Sequence, residues 1–341
     1  MSIFIGVDGG GSKTQVLLLH HAKGASLMAR SSNPRTVGWQ EAQQVILEAI
    51  DTCLGALRLS AKEVHGLSVC MAGVDRPGDI AGLRAVFARE FPAAVIEITN
   101  DALAALSAGT KGKPGVVLIA GTGSIAVGES ASGNVVRAGG YGYLLGDEGS
   151  GFAIGRQGLM AAIQSAEGRG AQTVLWEKAK AMYAAADTFA LLPKIYDAPH
   201  PVSAIALFAK EVLAAVEEDK DGVANEIVAK AIAAYTQLIH AVLRKLPPSN
   251  CPQPTVVLAG GLFANANTLV QRLMIAEPVI DFQPQTCSSA SGAALRAIKA
   301  TYQTLGIQEA DAVTFWQSNR DNWKKQTQCV QTPLGILQFG G

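Results

Sequence analysis

The sequence predicts a mixed α/β protein with two domains, and three observations support this prediction. The chain has 341 residues, which exceeds the usual length of a single domain. Apolar stretches typical of strands alternate with stretches of helical periodicity through the first half. One motif also occurs twice, once in each half: a strand, then a glycine turn with a hydroxyl residue, then a second strand.

This repeated strand–turn–strand motif is the most informative feature of the chain. Its first copy is IFIGVDGGGSKT followed by QVLLL (residues 3–19), and its second is VVLIAGTGS followed by IAV (residues 116–127). Glycine at a turn tolerates positive φ and lets backbone N–H groups approach an anion without a Cβ in the way. Two such turns predict two clamps on one polyphosphate, although two ordinary tight hairpins would have the same pattern.

Two other nucleotide-binding signatures do not fit the first turn. A P-loop needs Gly-Lys-Ser/Thr before a helix, whereas Ser12 separates Gly11 from Lys13 and residues 16–19 have no helical stripe. A dinucleotide fingerprint needs G-x-G-x-x-G leading into a helix, and neither copy has this pattern. The first copy of the motif is therefore predicted to be a β-hairpin.

The rest of the first half predicts alternating elements. Val45, Ile46 and Ala49 follow helical spacing within a predicted helix at 40–57. Further patterns predict a buried strand at 64–72 that ends before Gly73, a helix at 80–91, a strand at 95–99 and a helix at 101–108. The glycine- and lysine-rich segment 109–115 is the predicted crossover between the domains.

The second half begins with the repeated hairpin and continues through a glycine-dense loop at 138–151. Alanine-rich helices are expected to dominate residues 152–245. A strand at 255–259, a helix at 265–273 and a last helix at 289–304 follow. The pattern of residues 306–341 indicates no function.

Composition excludes several classes of partner. The chain has 28 basic and 28 acidic residues and is 49% apolar, so no basic excess favours nucleic acid or an anionic membrane. Its five cysteines lack C-x-x-C spacing, and most are expected to be buried thiols in a reducing cytoplasm. No basic region precedes a long apolar stretch at the N-terminus, which argues against secretion and membrane insertion.

Five segments resemble, in the same order, motifs of the actin, sugar-kinase and Hsp70 superfamily. They are DGGGSKT (8–14), NDA (100–102), GTGS (121–124), GDEGS (146–150) and AGG (259–261). Within the superfamily they resemble the N-acetylglucosamine kinase and BadF/BadG/BcrA/BcrD ATPase group. The resemblance implies two RNase H-like (actin-like ATPase) domains with an interdomain cleft. It places these domains at 1–112 and 113–287, a helix at 288–306 packing back on the N-terminal domain, and a tail at 307–341.

The resemblance also implies an activity. It indicates an ATP-dependent kinase acting on the 6-hydroxyl of N-acetylglucosamine or a related amino sugar, with ATP and Mg²⁺ as cofactors. Glucosamine and N-acetylmuramic acid are alternative substrates, and an activase-type ATPase or a non-catalytic sensor are alternative functions. The expected partner is a small-molecule amino sugar, and the chain is expected to form a homodimer. Neither nucleic acid nor a membrane is expected as a partner.

Candidate site residues follow from the matched motifs. Asp101 is expected to be the catalytic base and a sugar ligand, and Asp8 to hold Mg²⁺ through water. The residues implied for ATP binding are Gly10, Gly11, Ser12, Lys13, Thr14, Gly121, Thr122, Gly123, Gly260 and Gly261. The residues implied for the sugar are Asn33, Gly140, Tyr141, Gly142 and Asp147, together with Asp101.

Each of these positions has a structural alternative. Asp101 at a helix start is a favoured N-cap, and Asp8 could hydrogen bond its own turn. Asn33 before proline is typical of a turn, and Gly260 with Gly261 would suit a strand-to-helix turn.

Overall fold

The chain consists of two compact units. The computed structural model describes residues 2–21, 23–247, 253–265, 267–320 and 327–340. Unit 1 comprises Met1–Pro114 and Gln285–Gly341, and unit 2 comprises Gly115–Pro284. The chain therefore leaves unit 1 once, forms unit 2, and returns.

Unit 1 is built on a seven-stranded sheet in the order β11-β12-β3-β2-β1-β4-β5. Its strands are β1 (Ile3–Gly9), β2 (Lys13–His20), β3 (Lys23–Arg30), β4 (Val64–Met71), β5 (Val95–Thr99), β11 (Thr327–Thr332) and β12 (Gly335–Gly340). Its helices are α1 (Pro34–Val37), α2 (Trp39–Ala56), α3 (Pro77–Glu90), α4 (Asp101–Thr110), α13 (Ser289–Thr304) and α14 (Glu309–Arg320), with a 3₁₀ turn at Ala61–Glu63. The β1–β2 pair is antiparallel, which confirms the predicted hairpin.

Helix α13 packs directly on the strand that begins the chain. A Cβ at Gly6 in β1 would overlap backbone atoms of Ala290 and Ala294, so only glycine allows this approach. A Cβ at Gly292 of α13 would likewise overlap the carbonyl of Ala104 in α4. Helix α13 therefore contacts the backbone of both elements that carry the predicted carboxylates.

The C-terminal segment, for which the sequence pattern indicated no function, is part of the unit 1 fold. Strand β12 pairs antiparallel with β3 and adds β11 beyond it. Helix α14 inserts Trp316, which is fully buried, against a cluster that includes Phe4, Leu17 and Leu19. The segment thus extends the sheet and covers part of one face.

Unit 2 is built on a five-stranded sheet in the order β10-β9-β6-β7-β8. Its strands are β6 (Gly115–Ala120), β7 (Ser124–Glu129), β8 (Val135–Gly139), β9 (Thr255–Ala259) and β10 (Asp281–Pro284). Its helices are α5 (Gly151–Ala166), α6 (Leu175–Tyr183), α7 (Thr188–Tyr196), α8 (Pro201–Leu207), α9 (Ala209–Glu217), α10 (Gly222–Leu243), α11 (Gly261–Asn265) and α12 (Asn267–Ala276). The antiparallel β6–β7 pair confirms the second predicted hairpin.

Helix α10 is the one element among the described residues with the length and apolar composition of a membrane span. Its apolar side chains, including Ile227, Tyr235 and Ile239, lie in the main core cluster of unit 2. Burial in a protein core accounts for its composition.

Some predicted elements differ from the structure. The predicted helix at 265–273 is two helices, α11 and α12, with residue 266 outside the described residues. Strands β3, β8 and β10 were not predicted because their apolar alternation is short. Of the cysteines, Cys53 and Cys70 are buried, Cys287 is partly buried and Cys329 is exposed, while Cys251 lies outside the described residues. The expectation of mostly buried thiols is therefore only partly right.

Candidate active site

The first glycine turn joins β1 to β2 without any residue at positive φ. The amide of Gly10 donates to the carbonyl of Lys13 over 3.0 Å and closes the turn. Positive φ occurs at other glycines but not at Gly9, Gly10 or Gly11, so the expectation that glycine supplies a left-handed backbone here is wrong. Close packing is the physical reason instead, because a Cβ at Gly9 would lie 2.6 Å from the hydroxyl of Ser32.

The segment after β3 supports this turn with hydroxyl groups. The hydroxyl of Ser31 donates to the carbonyl of Gly11 over 2.9 Å. The buried hydroxyl of Thr14 donates to that of Ser32 over 2.8 Å. Thr14 therefore already uses its donor inside unit 1. The exposed part of the predicted phosphate clamp is Gly11, Ser12 and Lys13.

Asn33 lies beside this turn and caps α1. Its side-chain oxygen accepts from the amide of Arg35 over 2.9 Å, so the turn alternative describes that oxygen correctly. Its side-chain amide nitrogen lies 4.0 Å from the position that a Cβ on Gly11 would take. The structure thus brings Asn33 and the first turn together, and the amide nitrogen is the group that faces the turn.

Asp8 is the second-last residue of β1, next to the turn, and is partly buried. The pKa of Asp8 is raised to about 7, chiefly by loss of water around the carboxylate and also by the charge of Asp101, whereas Lys13 and the Ser289 hydroxyl act in the opposite direction. The two carboxylates therefore share one electrostatic environment.

Asp101 is the first residue of α4 but not its N-cap. Asn100 has the extended backbone of the cap, and its side-chain oxygen accepts from the amide of Ala102 over 2.9 Å. The capping alternative for Asp101 is therefore wrong, because Asn100 performs that function. The pKa of Asp101 is raised to about 6. Loss of water around the carboxylate is the main cause, the charge of Asp75 acts in the same direction, and a backbone hydrogen bond from Ala102 acts against it.

Asp75 and Ser289 are neighbours of the two predicted carboxylates that sequence reasoning missed. The amide nitrogen of Asn100 donates to Asp75 over 2.8 Å, which places this carboxylate beside the predicted base. Asp75 follows β4 by four residues, and a polar residue after a buried strand is the only signal that could have indicated it. Ser289 had no such signal, because it opens a helix from a distant part of the chain.

The second glycine turn joins β6 to β7 and is held by the loop that precedes α5. The amide of Ser124 donates to Asp147 over 3.2 Å, and the Ser124 hydroxyl donates to the carbonyl of Glu148 over 2.7 Å. The amide of Gly151 donates to the carbonyl of Gly121 over 2.7 Å. Thr122 at the tip of the turn is exposed. The loop thus fixes the turn while leaving Thr122 accessible.

Asp147 contacts the second turn from inside unit 2. Its backbone is left-handed, with φ of 60°, and a Cβ at Gly123 would lie 2.9 Å from its carboxylate. Burial raises the pKa of Asp147, a hydrogen bond from Ser124 lowers it, and Glu148 raises it. Tyr235 of α10 adds a hydrogen bond to the carbonyl of Gly149 in the same loop.

Gly260 and Gly261 differ in whether the structure has room for a Cβ at their positions. Gly260 has φ of 97°, and a Cβ there would overlap the carbonyl of Ala120 at the end of β6. Glycine at 260 is therefore needed for the strand-to-helix turn itself. A Cβ at Gly261 would meet no atom within 4 Å, which leaves open space beside it.

The segment 140–142 forms an exposed corner after β8. Gly140 and Gly142 have φ of 71° and 82°, and the ring of Tyr141 is exposed beneath the Arg137 guanidinium at 5.2 Å.

The predicted site residues fall into two groups. Asp8, Asn33, Asp101 and the first turn lie together in unit 1, while the second turn, Asp147, Gly260 and segment 140–142 lie in unit 2.

A family model for the BadF/BadG/BcrA/BcrD ATPase family matches residues 5–297. The chain belongs to this family. Among family relatives, an N-acetylmuramic acid/N-acetylglucosamine kinase from Clostridium acetobutylicum is 31% identical over 79% of this chain and 88% of its own. An N-acetyl-D-glucosamine kinase from Dictyostelium discoideum is 31% identical over 87% of this chain and 98% of its own.

Solved structures confirm the fold of this BadF/BadG/BcrA/BcrD ATPase family member. A proposed N-acetylglucosamine kinase from Porphyromonas gingivalis has a TM-score of 0.66 at 18% identity, over 90% of this chain and 100% of that one. A hexokinase from Schistosoma mansoni complexed with glucose has a TM-score of 0.53 at 14% identity, over 89% and 85%. The predicted actin-like ATPase fold, mixed α/β with two sheets, is therefore confirmed.

Proposed function

We propose that this protein is an ATP-dependent kinase that phosphorylates the 6-hydroxyl of N-acetylglucosamine or a related amino sugar. The single observation that carries the proposal is the pair of partly buried carboxylates with raised pKa values, Asp8 and Asp101, beside a glycine turn with exposed residues. A sugar hydroxyl is a poor nucleophile, and a carboxylate with a raised pKa is suited to accept its proton. The names of the two relatives support the choice of an acetamido sugar.

In this proposal the residues of unit 1 perform the proton transfer and hold part of the phosphate chain. Asp101 accepts the proton of the 6-hydroxyl, and Asn33 binds the sugar through its amide nitrogen. The N–H groups of Gly11 and Ser12 donate to phosphate oxygens, and the ammonium of Lys13 adds charge. From unit 2, Thr122 contacts the γ-phosphate and Gly261 leaves room for the nucleoside. The cleft expected between the two domains stays a prediction.

The carboxylates of unit 1 fit a divalent cation. The charge of Asp101 raises the pKa of Asp8 and so opposes the ionisation of Asp8. Carboxylate oxygens are the ligands that Mg²⁺ prefers, and a cation would remove this repulsion. Asp8 would hold Mg²⁺ through water, and the ion would neutralise charge on the transferring phosphoryl group.

The first experiment is an ADP-release assay with Mg-ATP and a panel of sugars. Glucose, glucosamine, N-acetylglucosamine, N-acetylmannosamine and N-acetylmuramic acid would each be compared with a reaction that contains no sugar. We expect ADP release to depend on an N-acetylated amino sugar, with one sugar 6-phosphate formed per ADP. Steady release without sugar would instead favour an activase-type ATPase, and no release would favour a sensor.

The proposal also includes a cytoplasmic compartment and a homodimeric assembly. Both follow the family expectation, and light scattering after size exclusion would measure the assembly directly. A monomer at assay concentration would contradict the dimer without affecting the proposed reaction.

A further inference from the structure

The corner that follows β8, residues 139–146, carries a run of exposed apolar side chains. Tyr141 is 65% exposed, Leu144 is 79% exposed and Leu145 is 82% exposed, and Tyr143 beside them is exposed as well. Contiguous exposed apolar groups on a soluble protein mark surfaces that contact a ligand or a partner. The corner is therefore a candidate contact surface within unit 2.

Both ends of this corner are fixed close to the second glycine turn. Gly139, at the end of β8, pairs with Ile125 of β7. On the other side of the corner, Asp147 accepts a hydrogen bond from the amide of Ser124, the residue before Ile125. Tyr141 thus lies between two segments that are tied to the strand in which the turn ends.

Arg137, inside β8, holds the backbone of the corner. A terminal nitrogen of its guanidinium donates to the carbonyls of Gly139 and Gly140 over 3.2 and 3.0 Å. Both glycines have a left-handed backbone, with φ of 72° and 71°. A Cβ on Gly140 would lie 2.7 Å from the side chain of Ile125. The backbone that leads into Tyr141 is therefore fixed both by hydrogen bonds and by close packing.

The same guanidinium lies over the ring of Tyr141, at 5.2 Å from the ring centroid. A guanidinium is planar and stacks on an aromatic ring, which adds a cation–π attraction. Arg137 therefore restrains the ring, while most of the Tyr141 side chain stays exposed. A side chain that is already held in place loses less conformational entropy when it contacts a ligand.

We propose that Arg137 is a positioning residue for Tyr141 and holds the Tyr141 ring ready to contact the sugar. The inference rests on the proposed function, because the ligand is the amino sugar of that reaction. An aromatic ring offers a flat apolar face that suits the C–H groups of a sugar ring, while polar residues bind its hydroxyls. Tyr141 then contributes to sugar binding and not to proton transfer, so loss of its support raises the sugar KM and leaves kcat unchanged.

The test is a double-mutant cycle in steady-state kinetics on the full chain, with N-acetylglucosamine as the sugar and saturating Mg-ATP. We expect Arg137→Gln to raise the sugar KM about three- to tenfold, while kcat stays the same. Tyr141→Ala should raise the sugar KM at least as much. In the Tyr141→Ala protein, Arg137→Gln should have little further effect, because the ring that Arg137 holds is absent.

Three further variants make the cycle specific. Tyr141→Phe keeps the ring and should keep a sugar KM close to that of the wild type. Lys180→Gln is the matched control, because Lys180 lies over the ring of Trp176 in α6 at 5.9 Å and the variant removes a similar contact elsewhere in unit 2. It should leave the sugar KM unchanged. If Arg137→Gln does not fold, Arg137→Lys completes the same cycle with a smaller expected effect, since it keeps the charge but not the planar group.

The outcomes separate this inference from the proposed reaction. An equal effect of Arg137→Gln with and without the Tyr141 ring would overturn the inference and leave the reaction intact, as would a lower kcat with an unchanged sugar KM. An unchanged sugar KM in Tyr141→Ala would show that the exposed corner serves another ligand. A wild-type protein without activity on N-acetylglucosamine would overturn the inference together with the choice of sugar.

Discussion

The two glycine turns have the same sequence motif but differ in how the nearest aspartate is used. In unit 1, Asp8 is partly buried near a second carboxylate, and its pKa is raised to about 7. In unit 2, Asp147 accepts a hydrogen bond from the amide of Ser124 and supports the turn. The first predicted clamp therefore lies beside carboxylates with raised pKa values, whereas a carboxylate supports the second predicted clamp.

A repeated motif thus does not imply repeated chemistry. In the first turn the supporting bonds come from the hydroxyls of Ser31 and Ser32, which leaves the carboxylate of Asp8 for other partners. In the second turn the carboxylate itself does the supporting. Where the hydroxyls are located along the chain decides which carboxylate can take part in a reaction.

The largest effect is expected from removing the base of the unit 1 site. Asp101→Asn should lower kcat by about 10²–10⁴ and change the sugar KM little, because the amide keeps the shape but cannot accept a proton. Steady-state kinetics with saturating Mg-ATP would measure both constants. Asp75→Asn is the control and should have a much smaller effect. Near wild-type turnover in Asp101→Asn would refute the assignment of the base.

Gly260→Ala is expected to be the most damaging glycine change around the unit 2 turn. Alanine at φ of 97° is strained, and its Cβ would overlap the Ala120 carbonyl at the end of β6. We expect a loss of about 3 kcal/mol in the free energy of unfolding, measured with urea. Gly261→Ala, with no atom within 4 Å of the added carbon, should be close to neutral. Equal losses in both variants would show that this packing does not matter.

Asp147 separates the roles of shape and charge at the second turn. Asp147→Ala leaves the amide of Ser124 without its acceptor and should cost about 1–3 kcal/mol of stability. Asp147→Asn keeps an oxygen at the same place and should cost less. Thermal or urea unfolding would measure the difference. If the two variants were equally unstable, the charge rather than the hydrogen bond would support the turn.

The pH dependence of kcat/KM should report on the unit 1 site alone. It is expected to be the smallest of the four predicted effects. Asp101 accepts a proton only when ionised, so kcat/KM should fall as pH drops below about 6, its raised pKa. Saturating Mg²⁺ would keep Asp8 ionised during this measurement. Asp75→Asn removes a charge that raises the pKa of Asp101, so the acid limb should move to lower pH. A limb that stays in place would mean that another group controls it.

Much of the fold could be predicted from local patterns. The two hairpins, the helix at α2 and the strand–helix step from β5 to α4 depend on periodicity and turn residues within short windows. The strands that were missed, such as β3, are defined by their partners more than by their own pattern. The C-terminal strand β12 could not be predicted for the same reason. Its register is set by pairing with β3, which lies near the opposite end of the chain.

Candidate site residues divide in the same way. The motifs at Asp8, Asp101 and the two turns are contiguous, so sequence alone determined which residues to consider and which chemistry their types allow. Sequence left open whether Asp101 caps α4, and the structure places Asn100 at the cap. The role of Asp101 as a base stays a prediction.

What only the tertiary structure decided is the environment of each carboxylate. The pKa of Asp8 depends on Asp101 and Ser289, which come from segments far from it in the chain. A pKa depends on desolvation and on charges a few ångströms away, and neither is encoded by neighbours in sequence. Residue type and order therefore determined the candidate chemistry, while three-dimensional packing decided the surroundings of the carboxylate at each of the two turns.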